Sequence, residues 1–333
     1  MLMFPISSPA DVPCRVPKDS SKQIARSHGQ RLHPRNRNLS RYLIPALVKR
    51  LPQLGEFVQK SKGGEDTIDF TRPEAVKLLN RALILNDYGL DHWDFPPENL
   101  CPPVPGRADY LHHMADLLRE NHFGNIPMGS EFRVLDIGVG ATAIYPIVGI
   151  VEYGWSFVGC DVAQASLDSV KSIVASNSML QDHLELRYQD DSTCMLRGII
   201  TDSDRFVFTM CNPPFHASAE DAAQGTMRKT KNLLGGKQSN PMLNFSGIAQ
   251  ELIFEGGEVR FIQTLIRESQ NYAHNVFWFT TLVSKQSHLK GLYAVLKTVR
   301  PVEVKTIAMG TGNKTTRILA WTFVPKEERS QWR

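Results

Sequence analysis

The stretch "VLDIGVGATA" (residues 134–143) decides the fold. Val134 to Ile137 read as a buried strand carrying one acid, Asp136, and an apolar helix pattern, "IYPIVGIVEY", begins at Ile144. Between them Gly138 and Gly140 let the backbone turn sharply and approach a ligand closely, and the helix start offers free N–H groups. Gly138-x-Gly140-x-x-Ala143 also matches the dinucleotide fingerprint with alanine in the last place, and Asp161 lies about 20 residues on. A nicotinamide enzyme and a plain strand-to-helix turn are therefore both compatible with the stretch. Asp136 argues against a dinucleotide. Two residues before the first glycine, its carboxylate faces the ligand's reactive end, where it repels a pyrophosphate and favours a sulfonium that also bears an ammonium group. Asp161, ending the next strand, offers acceptors to a ribose diol of either cofactor. Acidic ends on adjacent strands with a glycine loop between them point to S-adenosylmethionine, held by Asp136, Gly138, Gly140 and Asp161.

Outward from this loop, strand and helix patterns alternate. "FRVLDIGV", "WSFVGCDV", "HLELRYQD", "RFVFTMC", "HNVFWFTTLVS", "VEVKTIAM" and "RILAWTFV" read as strands, with helices near 143–153, 163–177, 257–272 and 286–298. Such alternation predicts an α/β fold with a seven-stranded, mostly parallel sheet and right-handed crossovers. "GTGNKTT" is too short for a crossover, so the last two strands form an antiparallel hairpin. Trp278 and Phe279 belong to the sheet core. Upstream, "TRPEAVKLLNRALILNDYGL" predicts a helix capped by Thr71 and ended by Gly89, and "RADYLHHMADLLREN" a second one. The prolines of "DFPPENLCPPVPGRADY" make an extended connector between them. His112 and His113 read as helix surface or cap. The expected organisation is a flexible tail over 1–30, a small helical RNA-binding module with a proline-rich bridge over 31–125, and the catalytic domain over 126–333.

The fourth strand of the catalytic domain ends in "CNPPF" (211–215). Proline cannot donate to a sheet ladder, so the strand stops here, but an Asn-Gly turn would stop it as well. A specific chemistry accounts for the choice. An exocyclic amine on adenine is a poor nucleophile because its lone pair is delocalised into the ring. Two acceptors on its two N–H groups draw the nitrogen toward tetrahedral geometry and free that lone pair. Asn212 Oδ1 supplies one acceptor and the Pro213 carbonyl the other, with Pro214 stiffening the turn. Phe215 supplies a face on which an extruded base stacks. The sulfonium is already activated, so orientation replaces a general base.

Composition bounds the partners. The chain has 333 residues, 42% hydrophobic and 22% charged, with a formal net charge of +4. These values are ordinary for a globular protein. The distribution of charge says more: 31–50 carries Arg31, Arg35, Arg37, Arg41, Lys49 and Arg50 with no acid, and 228–237 carries Arg228, Lys229, Lys231 and Lys237 with none. Two such runs beside a base-sized site point to RNA, with Arg31, His33, Arg35, Arg37, Arg41, Arg228, Lys229 and Lys231 as its contacts. The five cysteines form no CxxC pair and no zinc-spaced cluster, so no metal is expected. With no signal-like start and no membrane-length apolar run, a cytoplasmic protein is expected.

The motifs "LHPRNR" (32–37), "CPPVPGRADYLHH" (101–113), "LDIGVGA" (135–141), "IYPIVG" (144–149), "CNPPFH" (211–216), "EGGEV" (255–259), "LVSK" (282–285) and "AWTF" (320–323) carry a closer likeness. From about Leu32 to Phe323 the chain resembles the ribosomal RNA large-subunit methyltransferase F family. The resemblance implies a Rossmann-like class I methyltransferase that modifies N6 of adenine-1618 in 23S ribosomal RNA, acting as a monomer. It places Gly138 and Asp161 at the cofactor. It also brings Arg107, by composition only a surface arginine, to the same site, where its fork suits the cofactor's carboxylate. A polar contact after the third strand is implied too, with Ser192 and Thr193 as equal candidates. Asp161 is shorter than the glutamate that eukaryotic relatives carry there. Two rivals remain: methylation of a glutamine amide in a protein, and an RNA-binding protein with a vestigial cofactor fold.

Overall fold

Seven strands pair into one sheet in the computed structural model, which describes residues 32–214, 253–311 and 314–332. In chain order the strands of this sheet are β3 (Arg133–Ile137), β4 (Ser156–Asp161), β5 (Leu184–Tyr188), β6 (Phe206–Cys211), β7 (Val276–Val283), β8 (Glu303–Thr311) and β9 (Lys314–Thr322). They lie in the order β5-β4-β3-β6-β7-β9-β8. β3 pairs in parallel with both β4 and β6, and β7 in parallel with β6, whereas β9 runs antiparallel to β7 and β8. The fold is the expected α/β methyltransferase sheet with its C-terminal hairpin, and all seven strand segments form.

Two apolar layers follow from period-two alternation. On one face Val134, Phe157 and Phe208 join α3 (Val104–Asn121), α4 (Ile144–Tyr153) and α5 (Gln164–Ala175). On the other Leu135, Ile137 and Phe279 join α7 (Gly257–Ser269) and α8 (Gln286–Val299), a one-turn α6 (Ser178–Gln181) lying between α5 and β5. Trp278 and Phe279 are fully buried, as sheet core.

The N-terminal third differs from expectation in five ways. It does contain helices, α1 (Ile44–Arg50) and α2 (Pro73–Asp87), but a two-stranded ribbon, β1 (Val58–Lys60) with β2 (Asp66–Ile68), stands between them. Thr71 does not cap α2. Its N–H and hydroxyl both donate to Asp69 Oδ1, at 2.9 and 2.6 Å, and the helix starts at Pro73 with Arg72 at the cap position. The proline-rich stretch is more than a connector, because Trp93 is fully buried and its indole N–H donates to the Thr142 carbonyl beneath the glycine loop at 2.9 Å. His112 is not surface: it is wholly enclosed, with Nδ1 2.6 Å from the Tyr153 hydroxyl. The division at residue 125 also marks no break in packing. α1, α2, α3 and the sheet share one continuous apolar cluster.

Candidate active site

Strand register builds the site. Ile137 is the Cα partner of Cys160 on one side and of Cys211 on the other. The next residues, Gly138, Asp161 and Asn212, therefore stand in a row at the C-terminal edge of the sheet. Here strand order reverses about β3, the place where open α/β sheets bind ligands.

The glycine loop is shaped for a guest. Gly138 and Gly140 have φ of 77° and 62°, in the left-handed region, and a Cβ built on either meets no atom within 4 Å. The loop thus borders open space, and any side chain there would be strained and would fill it. The N–H groups of Gly138 and Val139 both donate to the Cys160 carbonyl at 2.9 Å. Asp161 fixes the other half, accepting from Gly140 N–H and Ala163 N–H at 2.9 Å each. Burial raises its pKa, and these N–H donors oppose the rise. Each carboxylate oxygen retains acceptor capacity beyond these bonds.

Asp136 is the unusual group. It is 1% exposed, and neither carboxylate oxygen has a hydrogen-bond partner among the described residues. Burial, and secondly the charge of Asp161, push its pKa well above the ordinary range, while Arg107 pulls it down. A buried carboxyl left bare costs stability unless something else completes it. Arg107 lies on α3 and donates from Nη1 to the Tyr145 hydroxyl at 3.0 Å, its guanidinium 5.6 Å from that ring's centroid. Burial pushes the Tyr145 hydroxyl up to about 12. The second bare acceptor is Asn212 Oδ1, buried with no partner among the described residues, on a turn stiffened by buried Pro213 and half-buried Pro214.

The loop after β5 separates two candidates that the sequence left equal. Both are exposed, but Thr193 gives its hydroxyl and its N–H to Asp191 Oδ1, at 2.5 and 2.9 Å. Ser192 has no side-chain partner among the described residues.

Four contributors went unnoticed in the sequence. Tyr145 is an unexplained hydroxyl in an apolar helix. Tyr110 reaches from α3 across the sheet, its hydroxyl 2.7 Å from Thr280 Oγ1, which donates to the Thr209 carbonyl at 2.5 Å. Thr209 Oγ1 in turn accepts the Thr280 N–H at 3.1 Å. Together they lock β6, and with it Asn212, against β7 and α3. A run of polar residues in otherwise apolar strands was the available signal.

Of the basic residues of 31–50, His33, Arg35 and Arg37 are tied to acids and carbonyls of the fold. His33 is buried, its N–H donating to Asp109 Oδ1 at 2.9 Å and its Nε2 2.8 Å from Asp116 Oδ2. Arg35 donates to Asp116 Oδ1 at 2.9 Å and to the His112 carbonyl at 2.7 Å. Arg37 donates to Glu152 Oε1 at 2.6 Å and to the Asp87 carbonyl, and Arg41 pairs with Glu65 while staying largely exposed. Phe215, Arg31, Arg228, Lys229 and Lys231 lie outside the described residues.

The donor set fits S-adenosylmethionine. Bare Asp136 suits a cationic centre, the glycine loop leaves room for the ligand's bulk, and Asp161 has acceptors for a diol. Against known proteins, a family model described as RNA methyltransferase matches residues 26–325. The chain belongs to that family. A Cytophaga hutchinsonii protein named ribosomal RNA large subunit methyltransferase F is 48% identical to this methyltransferase over 302 residues, 91% of this chain and 94% of that one. Its Photobacterium profundum namesake is 48% identical over 318 residues, again 91% and 94% of the two chains. Among solved structures, the human METTL16 catalytic domain in complex with the MAT2A 3'UTR hairpin 1 aligns with a TM-score of 0.74 at 28% identity, covering 89% of this chain and 96% of that one. The N-terminal domain of human METTL16 in complex with SAH aligns with a TM-score of 0.69 at 25% identity, covering 88% and 99%. Among the described residues, no helix is long and apolar enough to cross a membrane, and no group of three or more His, Cys, Asp or Glu is placed to hold a metal.

Proposed function

We propose that this methyltransferase modifies N6 of a single adenine in 23S ribosomal RNA, adenine-1618. The observation that carries the reading is the buried Asn212 Oδ1, without a partner among the described residues, beside the glycine loop on an Asn-Pro-Pro turn. S-adenosylmethionine is the methyl donor and supplies an activated methyl on a sulfonium. Everything else falls to the chain. Asp136 faces the donor's cationic portion, Arg107 its carboxylate, and Asp161 with Ser192 its polar groups. Asn212 Oδ1 and the Pro213 carbonyl each take one N–H of the adenine amine, which directs its lone pair at the methyl. Phe215 stacks on the base. Removing the proton from the methylated amine needs no resident histidine, because the product cation is strongly acidic. The relatives' name supports ribosomal RNA as the substrate, and the similar METTL16 catalytic domain solved with an RNA hairpin supports RNA over a glutamine amide in a protein.

The test is mass mapping of N6-methyladenine in 23S rRNA from cells with and without the gene. Loss of one modified adenine, restored by the wild-type gene and not by an Asn212→Ala version, is expected. An unchanged map would refute the target.

A further inference from the structure

A third acid-free basic run, 285–302, lies on α8 and its ends: Lys285, Lys290, Lys297 and Arg300 with no Asp or Glu. Leu289, Leu292, Val295, Leu296 and Val299 bury one side of the helix in the sheet core. The opposite side exposes Lys290 and Lys297, two turns apart on one line, with Lys285 and Arg300 exposed at the two ends. None of these four cations has a side-chain partner among the described residues. Three acids of the neighbouring elements are engaged elsewhere. Glu258 is buried against Ser284 and His288, Glu268 Oε2 accepts the Met195 and Leu196 N–H groups, and Glu303 pairs with Arg329 and Lys305. α7, packed beside α8, adds exposed Arg260 and Arg267. From Lys285 to Arg300 the row extends about 22 Å at the helical rise. Its Lys285 end is the continuation of β7, the strand paired with the one that ends in Asn212.

We propose that the outer face of α8 is a track for the phosphate backbone of the RNA substrate, leading away from the active site. It rests on the substrate being RNA, not on which adenine is modified. Free cations in a row, continuous with the site and with three neighbouring carboxylates engaged elsewhere, fit a regularly charged polyanion. Because the contacts are to phosphate, they set affinity without setting sequence preference.

The experiment measures binding of a fluorescein-labelled RNA hairpin of about 30 nucleotides against salt, for the wild type, Lys290→Gln/Lys297→Gln, and Lys171→Gln on α5 as a control. Each lost phosphate contact reduces the slope of log affinity against log salt by about 0.7 to 0.9. The double variant is expected to flatten the slope by about 1.4 to 1.8 and, with equal affinity at 1 M salt, to bind about 25- to 60-fold more weakly at 0.1 M salt. Its S-adenosylmethionine affinity and melting temperature stay at wild-type values, and Lys171→Gln keeps the full slope. An unchanged slope in the double variant overturns the proposal, as does an unchanged slope with lost binding to phosphatidylserine-containing vesicles. A flattened slope in a protein that leaves 23S rRNA unmodified supports the track and refutes only the target.

Discussion

Two clusters of buried polar groups sit about α3 and behave oppositely. Along its middle His33, Arg35, Asp109, His112 and Asp116 are knitted together and to Tyr153, each with at least one partner, although Asp109 Oδ2 and His112 Nε2 stay bare. At its N-terminal end Arg107 acts on Asp136, whose buried carboxylate oxygens, like Asn212 Oδ1, have no partner among the described residues. Burial is deeper in the second, Asp136 being 1% exposed against 28% for the Asp116 side chain, yet only the first is largely paired. A satisfied cluster holds the chain together, and an unsatisfied one is completed by something that binds. Basic residues divide in the same way. The run at 31–50 is largely committed to its own protein, whereas the α8 run is not.

The sharpest way to break this comparison is at Asn212. If its Oδ1 exists for a substrate, Asn212→Ala lowers turnover by about a hundredfold or more, near 3 kcal/mol of transition-state stabilisation. S-adenosylmethionine affinity by calorimetry should hardly change. Folding stability should not fall, because a bare buried acceptor has been removed. Near-normal turnover would end the proposed role, and a large loss of stability would show that the oxygen was structural.

The knitted cluster should answer the other way. Asp116→Ala strips His33 and Arg35 of their shared carboxylate and is expected to cost about 2–3 kcal/mol in denaturant unfolding. The same junction gives a pH signature. Burial pushes His112 down to about 3 and His113 to about 4, so both stay neutral in the folded protein while the unfolded chain takes up protons below about 6.5. Depressed imidazoles therefore contribute stability that is present above pH 6.5 and lost as the pH falls toward 4, by up to about 1.4 kcal/mol per pH unit for each group. A flat stability profile from pH 7 to 4.5 would show that this junction does not exclude protons.

Asp136→Asn tests the unsatisfied cluster from the stability side. Its carboxyl is held well above the ordinary range, so at neutral pH the folded protein carries a penalty that a neutral amide relieves. The apoprotein is expected to melt a few degrees higher, consistent with about 1 kcal/mol, while S-adenosylmethionine binds at least tenfold more weakly. Higher stability with unchanged cofactor affinity would separate Asp136 from the ligand.

Much of this was legible in the sequence because periodicity and turn chemistry are local. "VLDIGVGATA" and "CNPPF" carry their own signals, and seven apolar strand patterns suffice to order an α/β sheet once handedness is fixed. What was not legible depends on partners far apart in the chain. His112 reads as surface until Tyr153, across 41 residues, is known to meet it. Arg35 and Arg37 look like phosphate contacts because Asp116 and Glu152 lie 81 and 115 residues away. Ser192 and Thr193 separate only through the turn that gives Thr193 to Asp191. The third basic run was in plain view, but a helical face is distinguished from a solvated one only by what its neighbouring acids are doing.

The smallest expected effect lies at Arg41, which stands between the two kinds of basic residue. Its side chain is 79% exposed, and its one partner, Glu65, is 57% exposed. A pair so open to water contributes little to folding, so Arg41→Ala should change unfolding free energy by no more than about 0.5 kcal/mol. Exposure also leaves Arg41 free to exchange Glu65 for a phosphate, as Arg35 and Arg37 are not. If it does so, the alanine variant reduces the salt slope of RNA binding by about 0.7, one contact's share. Arg35→Ala should do the reverse, lowering stability and leaving the slope alone, because its guanidinium is spent on Asp116 and the His112 carbonyl. Should Arg35→Ala flatten the slope as much as Arg41→Ala, the inward-facing network opens to RNA, and the division between holding and binding fails in this segment.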